Sequence, residues 1–189
     1  SRHWNPSNRY LSMALAEMEG TESACVMASG MGAITSAMMQ LCNAGDHVVS
    51  SRTIYGGTYA FFKNFAPKFG INTTFVDTTN LEQVKAAIKP ETKVIYCETI
   101  SNPMLEVSDI TELSKIAKVN NCQLVVDNTF SPMIFSPAKL GADVVVILKM
   151  ESGKYGFPGS MENDPIMNLV RADEQEFANA EERRVFYVA

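Results

Sequence analysis

The sequence contains few of the residues that build metal centres and disulfide frameworks. Its 189 residues include only two histidines and four cysteines, and no two cysteines form a C-x-x-C pair. Zinc sites need several such ligands at short spacing, so no metal site is predicted. The cysteines are expected to be buried thiols of a cytoplasmic protein rather than disulfide partners.

Long apolar runs and an excess of positive charge are also missing. No apolar stretch approaches the roughly 20 residues that cross a membrane. The net charge of -5 disfavours nucleic acid as a partner. The opening residues SRHWNPSNRY lack a methionine and an apolar segment, so we expect no signal peptide and a chain entered in mid-sequence.

Patterns typical of strands and helices alternate along most of the chain. Apolar runs predict strands at SACVMAS, DHVVSS, INTTFVD, KVIYCET, CQLVVD and DVVVIL. Helical spacing separates them, and Asn80 and Asp109 are predicted helix caps. Several strands are continuously apolar, which predicts an α/β fold with a mostly parallel sheet and helices on both faces.

This regular pattern stops near residue 149. The stretch GKYGFPGSMENDP is irregular, and RADEQEFANAEERR predicts a charged, solvated helix. We therefore predict one domain over residues 1–148 and an atypical tail over residues 149–189.

Two glycine-containing stretches follow predicted strands. ASGMGA, residues 28–33, places small residues at a strand-to-helix junction, where free N–H groups can hold an anion. In TIYGGT, Tyr55 offers a flat surface for a ring-shaped ligand; the alternative is that it packs on the adjacent helix.

Two polar stretches also follow predicted strands. In VVDNTF, Asp127 ends a buried strand, where it either caps a local turn with Asn128 or meets a cationic ligand atom such as a protonated pyridine nitrogen. In CETISNP, Glu98 and Asn102 end another strand, although turn chemistry alone explains the Asn-Pro pair. Together the four stretches predict a site at one edge of the sheet.

Six motifs, in this order, resemble those of the Cys/Met-metabolism pyridoxal-phosphate enzymes. They are SRHWNP, ASGMGAI, TIYGGT, ETISNP, VVDNTF and SPAKLGADVVV, and they cover residues 1 to about 146. The resemblance implies a fold-type I large domain, truncated, that binds pyridoxal 5'-phosphate (PLP). It also implies a small sulfur amino acid as substrate.

The resemblance assigns roles in cofactor binding to several residues. These are Ser29, Gly30 and Met31 at the phosphate, Tyr55 stacked on the pyridine ring, Asn102 near the phenolic oxygen, Asp127 at the pyridine nitrogen, and Arg2 at the phosphate of a neighbouring subunit. Tyr55 is also implied to serve in proton transfer. The role of Arg2 implies a homodimer or homotetramer.

Within the family, the overall sequence is most similar to that of methionine γ-lyase. This similarity implies α,γ-elimination to methanethiol, ammonia and 2-oxobutanoate. Cystathionine γ-lyase or γ-synthase activity is the alternative within the family.

The sequence departs from the family where the cofactor lysine is expected. The family continues VVV as H-S-x-[ST]-K, whose lysine forms a Schiff base, whereas ILKMESGKYG stands here. Without a gap, Glu151 occupies the lysine position, and Lys149 lies two residues early. A three-residue shift places Lys154 at the lysine position. Two hypotheses stay open: a lyase with a relocated catalytic Lys154, or a truncated cofactor domain with little or no catalysis.

A dinucleotide-binding domain is a further alternative, because Gly30-x-Gly32 follows a predicted strand. It is disfavoured because Thr35 stands at the third glycine position and no acid ends the next strand.

Overall fold

The computed structural model describes residues 5–102, 104–132 and 134–148. The helices are α1 (Pro6–Glu19), α2 (Gly30–Leu41), α3 (Gly56–Ala60), α4 (Leu81–Ala87) and α5 (Ile110–Val119). The strands are β1 (His47–Ser51), β2 (Asn72–Val76), β3 (Thr92–Glu98), β4 (Gln123–Asp127) and β5 (Val144–Val146). The predicted tail lies outside the described residues.

The strands form one five-stranded parallel sheet in the order β2-β1-β3-β4-β5. This confirms the predicted α/β class. Parallel strands present their carboxyl ends at one edge of a sheet. At that edge Glu98 of β3 is the Cα partner of Asp127 of β4, and Asp127 is in turn the partner of Val146.

The predicted caps set the bounds of the helices between the strands. Asn80 Oδ1 accepts the backbone N–H groups of Glu82 and Gln83, and Asp109 Oδ1 accepts that of Glu112. Such bonds satisfy donors that the first turn of a helix leaves free. Gly20 ends α1 in the left-handed region, at φ 71°.

Hydrophobic cores lie on both faces of the sheet. Val94 and Tyr96 of β3 pack with α2 and the π-helical turn Phe61–Phe65, whereas Ile95 and Cys97 pack with α4 and α5. This alternation follows the two-residue period of a strand. Complete burial of one such aliphatic side chain stabilises the fold by roughly 1.5–3 kcal/mol.

Two sequence predictions are wrong. SACVMAS is not a strand, because no described strand pairs with it and a strand depends on a partner for its backbone groups. The second is that all four cysteines are buried: Cys25 within this stretch is exposed, whereas Cys42, Cys97 and Cys122 are buried as predicted.

Within the described residues, no helix is long and apolar enough to span a membrane.

Candidate functional site

The first part of the site is the N-terminus of α2. Ser29 is the N-cap, and its Oγ accepts the N–H of Gly32 at 3.0 Å. The N–H groups of the first helical turn, including those of Gly30 and Met31, have no acceptor within a helix. The end of this 12-residue helix therefore combines free donors with the positive end of the helix dipole, which suits a phosphate.

Tyr55 stands beside this helix end as the N-cap of α3. A Cβ placed on Gly57 would lie 2.6 Å from Cε1 of Tyr55 and 3.1 Å from Sδ of Met31. Glycine at position 57 therefore lets the tyrosine ring and the Met31 side chain approach the same backbone. Tyr55 is 53% exposed as a residue, so its side chain is accessible to a ligand.

Asp127 ends β4 with its two carboxylate oxygens in different surroundings. Oδ1 accepts the Thr129 N–H at 3.0 Å and the Thr129 hydroxyl at 2.6 Å. Among the described residues, Oδ2 receives only a long contact, 3.5 Å from Oη of Tyr96. Burial raises the pKa of Asp127, while the bonds from Thr129 lower it. Oδ1 thus accepts hydrogen bonds within the local turn, whereas Oδ2 can accept one from a cationic donor.

Tyr96 is a contributor that sequence reasoning missed. It is fully buried, with its ring edge-on to Phe62 at 5.1 Å between centroids. Burial raises the pKa of Tyr96 well above 10, so its hydroxyl is a neutral donor toward Asp127. Strand alternation was the available signal, because Tyr96 and Glu98 share one face of β3.

Glu98 connects two of the predicted residues. Its carboxylate accepts the backbone N–H of Tyr55 at 2.6 Å and that of Asn102 at 3.2 Å. Burial raises the pKa of Glu98 to about 7, and the charge of Asp127 acts in the same direction. The backbone of Tyr55 and that of the exposed Asn102 are therefore held by the same carboxylate. The sequence indicated its position but not these contacts.

The segment after Asp127 is fixed by Asn128 and Thr129. Asn128 is fully buried and donates through Nδ2 to the carbonyl of Phe135 at 2.7 Å. The hydroxyl of Thr129 accepts the Leu148 N–H at 3.1 Å, which holds the residues after β5 next to Asp127. Leu148 packs against the core on the α2 side, where the ungapped family pattern has a serine hydroxyl.

The structure brings together all the predicted site residues that it describes. Met31 meets Tyr55 at Gly57, Glu98 joins Tyr55 to Asn102, and the strand register sets Glu98 beside Asp127. Arg2 and Lys154 lie outside the described residues.

A helix N-terminus, a half-exposed aromatic ring and a buried carboxylate at one sheet edge define an α/β domain suited to a phosphorylated ring ligand. Residues 1–155 match the family described as Cys/Met metabolism PLP-dependent enzyme. The chain belongs to this family, and the recognition made from the motifs is confirmed.

Two curated relatives illustrate the range of the family. The chain is 50% identical over 157 residues to methionine γ-lyase of Arabidopsis thaliana, covering 81% of this chain and 36% of that protein. It is 46% identical over 147 residues to cystathionine γ-lyase of Bacillus subtilis, covering 77% of this chain and 38% of that protein. The chain thus spans less than two fifths of the length of these relatives.

A solved structure of similar fold is that of a putative O-acetylhomoserine (thiol)-lyase of Campylobacter jejuni, which carries a pyridoxyl-lysine monophosphate. The TM-score is 0.74 at 35% identity, covering 76% of this chain and 36% of that one. The fold-type I likeness implied by the motifs is therefore confirmed, and the family is PLP-dependent.

The described residues fit this cofactor. Asp127 Oδ2 is a buried acceptor with only one long contact among them, as a pyridinium N–H requires. A side chain at Gly57 would displace the ring of Tyr55, so the glycine preserves an aromatic surface beside the phosphate-binding helix end.

Proposed function

We propose that this chain is the cofactor-binding part of a sulfur amino acid lyase, most like methionine γ-lyase. The proposed reaction is α,γ-elimination, in which methionine and one water give methanethiol, ammonia and 2-oxobutanoate. The observation that carries the proposal is the convergence of Tyr55, Glu98 and Asp127 beside the N-terminus of α2, in a chain that belongs to the family.

Each part of the site has a defined task in this proposal. The N–H groups at Gly30 and Met31 bind the phosphate, and Tyr55 covers one ring face. Asp127 holds a proton at the pyridine nitrogen. When bound, PLP supplies an electron-accepting ring that stabilises negative charge at the substrate α-carbon.

Two further tasks fall to residues outside the described ranges. Lys154 is the proposed lysine that binds the cofactor covalently, and Arg2 is proposed to reach the phosphate of a neighbouring subunit. The whole site would then form only in a homo-oligomer.

Covalent trapping tests the cofactor assignment. The purified full chain is mixed with PLP, its absorption spectrum is recorded, and the sample is reduced with borohydride before peptide mapping. We expect a yellow protein that carries the cofactor on Lys154. Bound cofactor without label on any lysine would instead support a cofactor domain with little or no catalysis.

Asp127→Asn and Asp143→Asn form a matched pair for the same titration. Asp127→Asn keeps the size of the side chain but removes the charge that holds the pyridine proton, so PLP binding is expected to weaken. Asp143 Oδ2 accepts the Leu124 N–H at 2.8 Å, toward the opposite end of β4. Asp143→Asn should leave PLP binding unchanged, and equal effects of the two variants would contradict the proposed site.

The reaction is tested by product. Methionine, cystathionine and O-acetylhomoserine with a thiol are offered separately to the PLP-loaded chain. Methanethiol and 2-oxobutanoate from methionine would support the proposal. Turnover of cystathionine alone would favour cystathionine γ-lyase activity.

A further inference from the structure

Glu98 connects two loops at the edge of the sheet where the strands have their carboxyl ends. It is only 5% exposed, yet both of its oxygens are used by backbone N–H groups. Oε1 accepts from Tyr55, which precedes α3, and Oε2 accepts from Asn102, which follows β3. The loop that presents the tyrosine ring is therefore attached to the end of the central strand.

These two bonds are strongest when Glu98 is ionised. A carboxylate has acceptor sites on both oxygens, whereas a protonated carboxyl turns one oxygen into a donor. The oxygen that carries the proton is a weaker acceptor for a backbone N–H, so protonation weakens one of the two attachments.

The surroundings of Glu98 make this protonation accessible near neutral pH. Burial raises its pKa to about 7, and the nearby charge of Asp127 on β4 contributes in the same direction. On its own strand the other titratable neighbours are Tyr96 and Cys97. Burial raises the pKa values of both, that of Cys97 to about 12, so both are neutral when Glu98 titrates.

We propose that Glu98 is a positioning residue: its carboxylate fixes the Tyr55 loop against Asn102, and protonation of Glu98 loosens this attachment and, with it, the ligand-binding position of the tyrosine ring. The part of this inference that concerns the ligand rests on the proposed function, because it takes Tyr55 to cover the PLP ring. The attachment itself depends only on the contacts within this chain.

The first test follows backbone amides of the ligand-free, ¹⁵N-labelled full chain between pH 5.5 and 8.5. The amide protons of Tyr55 and Asn102 should shift downfield together as pH rises, with a common midpoint near 7. The Thr129 amide donates to Asp127 and reports separately on that carboxylate. A Tyr55 amide that does not titrate, or that follows Thr129 with a different midpoint, would overturn the proposal.

The second test compares Glu98→Gln with Glu106→Gln. Glutamine preserves the volume of Glu98 but places a donor opposite a backbone N–H, so the shared amide titration should vanish. Glu106 joins the same region by accepting the hydroxyl of Thr53 at 2.7 Å, without contact to the Tyr55 amide. Glu106→Gln should keep the titration, and its loss in that variant would contradict the assignment to Glu98.

The third test measures PLP affinity by fluorescence at pH 8 and pH 6. Glu98→Gln loses one charged acceptor, so it is expected to weaken PLP binding at pH 8 by roughly tenfold. Between pH 8 and pH 6 the wild-type affinity should fall more than that of Glu98→Gln. Equal pH dependence in both proteins would overturn the proposal.

The tests separate this inference from the proposed function. If the wild-type chain binds no PLP, the proposed function fails, while the Tyr55 amide still decides whether Glu98 holds the loop. If the chain binds PLP but the Tyr55 amide does not titrate, the positioning role alone is contradicted.

Discussion

Glu98 and Asp127 are Cα partners at the carboxyl ends of adjacent parallel strands, where two carboxylates enter one buried region. Burial raises the pKa of each, and Asp127 adds to the effect at Glu98. Their ionisation therefore opposes folding. A cation placed at Asp127 would relieve part of this penalty, so the unfavourable charge pair is consistent with a site shaped for a bound cation.

The first prediction concerns how stability depends on pH. The pKa of Glu98 rises from 4.5 to about 7 on folding, so the folded state binds its proton more tightly. The stabilisation this provides is complete below pH 4.5 and is lost as pH rises through about 7. The unfolding free energy of the wild type minus that of Glu98→Gln should therefore decrease by up to about 3 kcal/mol as pH rises through this window.

Urea denaturation at several pH values between 4.5 and 8 measures this difference. Asp127 is present in both proteins, so the part of its titration that does not depend on the Glu98 charge cancels in the comparison. A constant difference across the range would show that burial of Glu98 does not perturb its ionisation.

The second prediction concerns Gly57. A methyl group there would meet Cε1 of Tyr55 at 2.6 Å, so Gly57→Ala should displace the ring. The ring is half exposed and can turn away, so stability should change little. Loss of an aromatic contact of about 0.5–1.5 kcal/mol predicts PLP binding weaker by up to roughly tenfold in a fluorescence titration.

Gly56→Ala is the matched control for this substitution. It lies in the same helix, and a Cβ at Gly56 would meet nothing within 4 Å. Its PLP affinity should equal that of the wild type. An equal loss of PLP affinity in the two variants would show that the effect comes from the α3 backbone and not from the tyrosine ring.

The third prediction concerns Gly141, which precedes β5 with φ at 102°. A methyl group there would lie 3.0 Å from Cβ of Ser114 and even closer to its hydroxyl oxygen. Gly141→Ala therefore combines an unfavourable backbone conformation with a clash. Gly45 has a similar φ of 97° but open space around it. We expect Gly141→Ala to destabilise the fold by about 1–3 kcal/mol more than Gly45→Ala.

Thermal unfolding of these two variants gives the comparison directly. The Ser114 hydroxyl donates to the Gly141 carbonyl at 2.8 Å. Displacement of Ser114 would therefore also weaken this hydrogen bond between α5 and the loop that precedes β5. Similar melting temperatures for both variants would mean that Ser114 moves aside at little cost.

The sequence predicted most of the sheet because its strands are continuously apolar and its caps are local features. Asp109 and Asn80 lie next to the donors they satisfy, so sequence spacing was sufficient to find them. SACVMAS was misread because an apolar run alone does not reveal whether a strand partner exists. Strand formation depends on pairing with distant residues.

The sequence predicted that the candidate residues lie at one edge of the sheet, but it did not predict the contacts between them. Motif order and parallel pairing placed Tyr55, Asn102 and Asp127 at one edge. The bond from Tyr55 to Glu98 spans 43 residues, and the contact from Tyr96 to Asp127 spans 31. Such contacts depend on strand register and loop path, which local patterns do not specify.

The fourth prediction separates the two tasks of Ser29, capping α2 and bordering the proposed phosphate site. Ser29→Ala removes the acceptor for the Gly32 N–H and should destabilise the fold by about 1 kcal/mol. Ser29→Asp keeps an acceptor and adds a charge that the helix dipole favours, so its stability should match that of the wild type. The same charge repels a phosphate. Ser29→Asp should therefore weaken binding of PLP more than binding of pyridoxal, which lacks the phosphate; equal losses for both ligands would place the phosphate away from this helix end.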